Sequence, residues 1–216
     1  MKIKFDSTIH LLHGATFGTL ATQSTQMPGY PFASILPFVL DEQNRPLFLI
    51  SALAEHTKNL IADSHASFLV HNVAGQNILT SERASLLGDV VRMDVPPELV
   101  ARYVRYLPDA AQYLALGDFA FFQFSPKGAR YVAGFGQMGW VDETDWGNSA
   151  VLPLAEEEKL LHELIEVQPS GVKLLGLDCY GFDIEHAGCR ERQRFPNGPL
   201  SVDRIGETVK RFLSTM

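Results

Sequence analysis

Short apolar runs separated by clusters of turn formers fill the first two-thirds of the chain, and this cadence restricts the possible folds more than any other feature. GTLAT (18–22) and FASILPFVL (32–40) are parted by QSTQMPGYP, which is dense in turn-forming residues. PLFLIS (46–51) follows a DEQNR turn, and SFLVH (67–71) and RASLLGDVVRM (83–93) come next. FAFFQFSPKGARYVAGF then sets two strand-like runs on either side of Ser125-Pro126-Lys127-Gly128, a turn sequence suited to a hairpin. Many short strands with few long helices predict a small closed barrel, because closure removes the exposed edges of an open sheet.

Helical segments punctuate this pattern. Residues 56–63 form a short one, apolar at Leu60 and Ile61. PPELVARYVRYL (96–107) opens with prolines that suit a first turn and aligns Leu99, Val100, Tyr103, Val104 and Leu107 as a core-facing stripe. Its arginines are expected to snorkel to solvent. Beyond a polar, aperiodic stretch, DETDWGNSAVLP (142–153), the pattern changes. AEEEKLLHELIE (155–166) predicts a helix with acids in its first turn, where the macrodipole favours them. VKLLGLDCYGFDIE and CRERQRF predict a hairpin or meander, and SVDRIGETVKRFL an amphipathic closing helix with Ser201 as its N-cap. The expected organisation is a barrel over residues 1–146 and a small α-β-β-α unit over 147–216.

The charge balance, 18 − 25 = −7, argues against a general nucleic-acid binder, which needs clustered Lys and Arg to neutralise phosphates. A local basic site for one small phosphate remains compatible with that total. Cys179 and Cys189 read as reduced thiols rather than a bridge or metal pair, since a chain of 216 residues buries enough core to need no staple. The start, MKIKFDSTIHLLHG, lacks the apolar core of a signal peptide, and no run approaches the ~18 apolar residues of a membrane span. These features predict a cytoplasmic protein without membrane contact.

The chemistry-bearing stretch is ISALAEHTKNLIAD (50–63), where a strand gives way to a helix. The first amides of a helix have no internal partner, and its dipole favours an anion there. Ser51, Thr57 and Asn59 can add side-chain donors, and His56 and Lys58 positive charge, so the turn suits a phosphate monoester. Arg83, at the start of a later strand, could reach the same phosphate. The alternative is that Thr57 caps the helix and the other side chains are solvated.

Gly18-Thr19-Leu20-Ala21-Thr22, Gly29-Tyr30-Pro31-Phe32-Ala33-Ser34, Leu49-Ile50-Ser51 and His56-Thr57-Lys58-Asn59-Leu60, taken in order, resemble the pyridoxamine 5′-phosphate oxidase-like flavin-binding split barrels. Leu86-Leu87-Gly88-Asp89, the stretch Tyr131-Val132-Ala133-Gly134-Phe135-Gly136 and Trp140 continue the match, which covers roughly residues 10 to 145. The nearest branch is similar to the HugZ-type haem-utilisation proteins, and LDCYGFDIE with RQRFP is similar to the α/β appendage that often follows this barrel. The resemblance implies an α+β protein, a six-stranded antiparallel split β-barrel of the FMN-binding type. It also implies a homodimer with two cofactor sites at the subunit interface and a small-molecule substrate. Carried over by position, Ser51, His56, Thr57 and Asn59 hold the FMN phosphate with help from Arg83, while Ala33, Ser34, Ile35 and Leu36 line the ring. Trp140, with its glycine-rich approach at 134–139, either packs near the cofactor from the other subunit or caps the barrel as a core aromatic.

Flavin chemistry resides in the ring, so no side chain need act as nucleophile or general acid. The sequence contains no Ser–His–Asp signature, no metal-spaced His/Cys cluster and no GxGxxG after a strand; catalytic residues are unassigned and no metal site is expected. His65 and His71, which flank a strand, read as structural. The expected function is an FMN-dependent oxidoreductase, with the deazaflavin F420 less suited to this phosphate turn. The alternative is haem binding and oxidative haem breakdown, as HugZ-type relatives imply. Haem iron takes an axial ligand, usually His. The tail histidine pair of that branch is reduced here to His162, with Val167 and Gln168 where the second is expected, leaving His162 and His186 as candidates. A non-catalytic interaction module is a third class. Pyridoxamine phosphate oxidation lacks a basic set for the substrate's own phosphate.

Overall fold

Strand alternation and turn chemistry build the barrel much as the sequence predicts, in a computed structural model that describes residues 5–72, 80–133 and 137–216. The motif residues Gly134, Phe135 and Gly136 lie outside the described residues. Eight antiparallel strands form the main sheet: β1 (Phe17–Gln23), β2 (Pro31–Pro37), β3 (Val39–Leu40), β4 (Pro46–Ser51), β5 (His65–His71), β6 (Arg83–Arg92), β7 (Phe119–Val132) and β8 (Met138–Asp142). Their order is β2-β1-β5-β6-β7-β4-β3, with β8 added to β7. Phe38 alone separates β2 from β3, so one bent strand ends the sheet on both sides and closes it. Counting β2 and β3 as that single strand, the closed ring has six strands, as a split barrel requires. Leu20, Phe38, Phe48, Phe68, Leu86 and Phe124 fill its interior.

The Ser125–Gly128 turn expectation is corrected. These residues sit inside one continuous strand, β7, with a bulge: Leu87 pairs with Gly128 and Gly88 with Pro126, so Lys127 is the extra residue. Proline tolerates such a site because no ladder bond is asked of its nitrogen. Gly88 opposite is obligatory, since a Cβ there would stand 2.1 Å from the Ser125 carbonyl oxygen.

Helix α1 (Phe5–Gly14), at the polar-interrupted N-terminus, splits its faces between two cores. Leu11 and Leu12 join the barrel interior and Ile9 the tail. Helix α2 (Glu55–Ala62) lies across one end of the barrel, and α3 (Pro97–Tyr106) packs its stripe on Leu47 and Leu49 of β4, followed by the short α4 (Ala110–Leu114). The polar stretch at 142–153 is also corrected. It holds a capped helix, α5 (Glu143–Gly147), whose Trp146 enters the barrel core and donates to the Asn44 carbonyl at 3.3 Å. The tail comprises α6 (Leu154–Leu164), β9 (Val172–Asp178), β10 (Gly181–His186), β11 (Cys189–Arg194) and α7 (Val202–Leu213). Of the two readings the meander holds, giving three strands. Ser201 stands at the N-cap of α7 without a side-chain capping bond.

A buried polar seam joins tail to barrel. Arg102, expected to snorkel, is instead 2% exposed. Its Nε donates to the Leu40 carbonyl at 3.0 Å, and its guanidinium pairs with Glu157 of α6. His13 Nδ1 and Tyr106 Oη meet Asp183 Oδ2 at 2.8 and 2.7 Å, and Arg192 bridges Asp178 and Asp183. Burial alone would raise the Asp183 carboxyl, yet Arg192 and His13 hold it well below the usual carboxylate range. Among the described residues no helix is long and apolar enough to cross a membrane.

Candidate functional site

The strand-to-helix corner forms where β4 ends at Ser51. The Asp118 backbone carbonyl accepts from the Ala52 amide at 2.7 Å, and the Ser51 hydroxyl donates to the Asp118 carboxylate, also at 2.7 Å. That same hydroxyl accepts from the Leu53 amide at 3.1 Å, so Ser51 builds the turn. Thr57 is not the cap; Ala54 is, and Thr57 sits in the first turn, where its amide and that of Lys58 return to the Ala54 carbonyl. Among the described residues the amides of Glu55 and His56 find no backbone acceptor. Thr57 Oγ1 is buried without a partner.

Asn59 is 0% exposed and fully engaged. Its Oδ1 accepts from the Thr25 amide at 2.9 Å and the Thr25 hydroxyl at 3.0 Å, while Nδ2 donates to Thr22 Oγ1 at 3.0 Å. It staples the β1–β2 loop to α2. His56 Nδ1 lies 3.2 Å from Ser34 Oγ, and its Nε2 is buried without a partner. Burial lowers its pKa, favouring the neutral imidazole. Lys58 faces Glu55 at 3.7 Å. The corner thus carries two carboxylates, Glu55 and Asp118, beside the donors.

Arg83 is elsewhere. It starts β6 opposite Val132 at the far end of β7, whereas Ser51 pairs with Phe119 at the start of that strand. The length of β7 lies between them.

The other candidates gather on the outward face of the barrel. Strand β2 alternates, so Ala33 and Ile35 point out while Ser34 turns toward His56 and Leu36 joins the core. Register carries the outward row across six strands: Ile35, Thr19, Leu69, Ser85, Arg130 and Trp140. Ile35 is 69% and Trp140 56% exposed, which excludes the reading of Trp140 as a core cap. Arg130 lies over its ring at 5.7 Å. A second row holds the small residues Ala33, Ala21 and Ser67 with Leu87, and a third brings His71 beside Arg83, with Phe17 and Met138 exposed nearby.

Sequence reasoning did not single out Arg130 or the histidines of β5 as functional. Strand parity is the signal that finds the histidines: residues 65, 67, 69 and 71 share one face. His65 lines a groove of about 340 Å³ with Ala21, Gln23, Pro31, Ser67 and Leu87. Hydrogen bonding to Asp63, and the charges of Asp63 and Asp89, raise its pKa.

Residues 7–148 match the family described as CREG, beta-barrel. Among curated proteins the chain is similar to the chloroplastic haem oxygenase HOZ of Arabidopsis thaliana, 28% identical over 197 residues, which is 81% of this chain and 60% of the relative. The chain therefore spans about 60% of that relative's length. A solved haem-binding protein from Mycobacterium smegmatis superposes with a TM-score of 0.63 at 20% identity, each chain wholly covered. A protein of unknown function from Agrobacterium tumefaciens reaches a TM-score of 0.74 at 20% identity over 96% of this chain and 94% of that one. At such identities the two structures speak for the fold. The family match covers most of the barrel, and with the closed strand order it places this chain in the CREG β-barrel family, within the superfamily of FMN-binding split barrels.

Proposed function

We propose that this protein binds haem on the outward face of its barrel, as a homodimer whose second subunit covers that face. The observation that carries the reading is the exposed row from Ile35 to Trp140, in which Ile35, Leu69 and Trp140 alternate with Thr19, Ser85 and Arg130, with Arg83 one row away. A monomer that left Phe17, Ile35, Leu69, Leu87, Met138 and Trp140 in water would carry an apolar patch of the kind that marks an interaction site. A flat macrocycle with two carboxylates needs that combination: an apolar bed and guanidinium groups to pair its acids. Ala21, Ala33 and Ser67 let a planar ring approach the backbone. The names of the Arabidopsis and Mycobacterium relatives support the same ligand.

Haem would supply the iron at which dioxygen reacts, and the oxygenation named for the Arabidopsis relative is the activity we assign. The chain's own work is to orient the ring between two copies of the face and to exclude water from it.

The second reading is FMN. Thr57 Oγ1 and His56 Nε2, both buried without partners beside the open amides of α2, favour it. Against it stand the engagement of Ser51 and Asn59 and the carboxylates of Asp118 and Glu55. A phosphate dianion at that corner would meet like charge.

Absorption spectra of the purified protein titrated separately with haemin and FMN, with light scattering for mass, test both. A saturable Soret band and a dimeric mass are expected. A protein that takes up FMN and ignores haemin would replace this reading with the second.

A further inference from the structure

We propose that the tail carries a second small-molecule site, a groove between α3, α6 and β9 that takes an aliphatic carboxylic acid, its carboxylate held by Arg105 and Lys173. The site is independent of the haem reading, because no strand of the outward row lines it. Its volume, about 620 Å³, lies in the range of small-molecule sites. Leu161 and Ile165, one turn apart where α6 runs into a 3-10 turn, form one wall. Val172 and Leu174, alternate residues of β9, form the other. Ile165 is 59% exposed, an apolar side chain left in water beside the opening. Among the described residues no Phe, Tyr or Trp lines the groove, so it suits a flexible chain rather than a stacked ring.

Unspent donors set the head of the ligand. Arg102 and Arg105 pair with a single buried carboxylate, Glu157, so the two guanidinium groups carry more charge than their partner cancels. Burial lowers the Arg105 pKa from its ordinary value and Glu157 restores only part of it, so an incoming anion completes the compensation. Lys173, opposite Glu185 on β10, closes no ion pair among the described residues. Gln168 turns its Oε1 to the Leu174 amide at 2.9 Å, which leaves Nε2 as a third donor. Glu158 is the one carboxylate in the lining, and the two cations outweigh it. His162 stands on the same exposed rim. Strand β9 ends the tail sheet, yet its open edge is already occupied by side chains. Gln168 and Glu157 bond the Leu174 and Leu177 amides, while Arg105 and Arg102 bond the Leu175 and Leu177 carbonyls. A strand from a partner protein would find these positions taken, which leaves a small acid as the occupant.

Isothermal titration calorimetry of the full chain with decanoate, and with decan-1-ol as its uncharged counterpart, tests the site. Decanoate should bind saturably, and decan-1-ol roughly tenfold more weakly, the scale of one charge-assisted hydrogen bond. Lys173→Ala should weaken decanoate by about tenfold and leave decan-1-ol unchanged. Ile165→Ser should weaken both, because the apolar wall serves either chain. Both side chains are exposed, so the unliganded variants should melt with wild type. No saturable uptake of decanoate by wild type would overturn the assignment. So would equal affinities for acid and alcohol, or decanoate binding that neither substitution weakens.

Discussion

Replacing Asn59 by alanine separates a side chain that holds the fold from one that holds a phosphate. Asn59 makes three hydrogen bonds at 2.9 to 3.0 Å, two accepted from Thr25 and one donated to Thr22. At about 1 kcal/mol net for each, their loss costs roughly 3 kcal/mol. The site is wholly buried, so water does not readily replace the missing amide. With a urea slope of ~2 kcal/mol/M, the unfolding midpoint of the empty protein should fall by roughly 1.5 M at unchanged slope. A double-mutant cycle with Thr22→Val should return a coupling of about 1 kcal/mol, since the two share one bond. Urea titrations followed by far-UV circular dichroism, without cofactor, measure both. If the empty variant were as stable as wild type to within ~0.5 kcal/mol, the surface-substitution range, while losing cofactor affinity, the staple reasoning would be refuted.

Three further outcomes follow from named contacts. Burial, then the charges of Arg192 and Arg194, lower the His10 pKa from 6.5 to about 3, so between those values the unfolded chain takes up a proton that the native one refuses. Stability is therefore lost on acidification, by roughly 2 kcal/mol at pH 5 relative to pH 7, and His10→Gln should flatten that slope in paired urea titrations. Asp183→Asn leaves Arg192 and His13 facing a neutral group in the buried seam, and should cost about 3–5 kcal/mol by urea unfolding. Ile35→Glu places a charge in the outward row and should give a monomer by light scattering, with an unaltered far-UV spectrum and weakened haemin binding.

What the sequence reveals and what it conceals divide along the range of the interaction involved. Alternation is local, so the strands, the closed barrel and the stripe on α3 are legible from the residues themselves. The Ser-Pro-Lys-Gly segment misleads because proline and glycine punctuate turns and bulges alike. What makes it a bulge is Gly88 on the neighbouring strand, which no reading of the segment alone reveals. Arg102 resembles any other helix-surface arginine until Glu157 arrives from the tail to pair with it.

The corner shows the same division at the level of function. Its donors are present in the order that the family resemblance requires, yet a donor counts toward a ligand only if the fold leaves it unengaged. Ser51 is engaged by Asp118, and Asn59 by Thr22 and Thr25, all distant in sequence. Strand β5 is the converse case: that His65, Ser67, Leu69 and His71 share a face follows from the period of the strand alone. What lay beyond the sequence was the company that face keeps, because Leu69, Arg130 and Trp140 become neighbours of His65's strand only when β5, β6, β7 and β8 are laid in register. Which residues share a sheet face is thus easier to infer from parity and register than which donors a turn leaves unengaged.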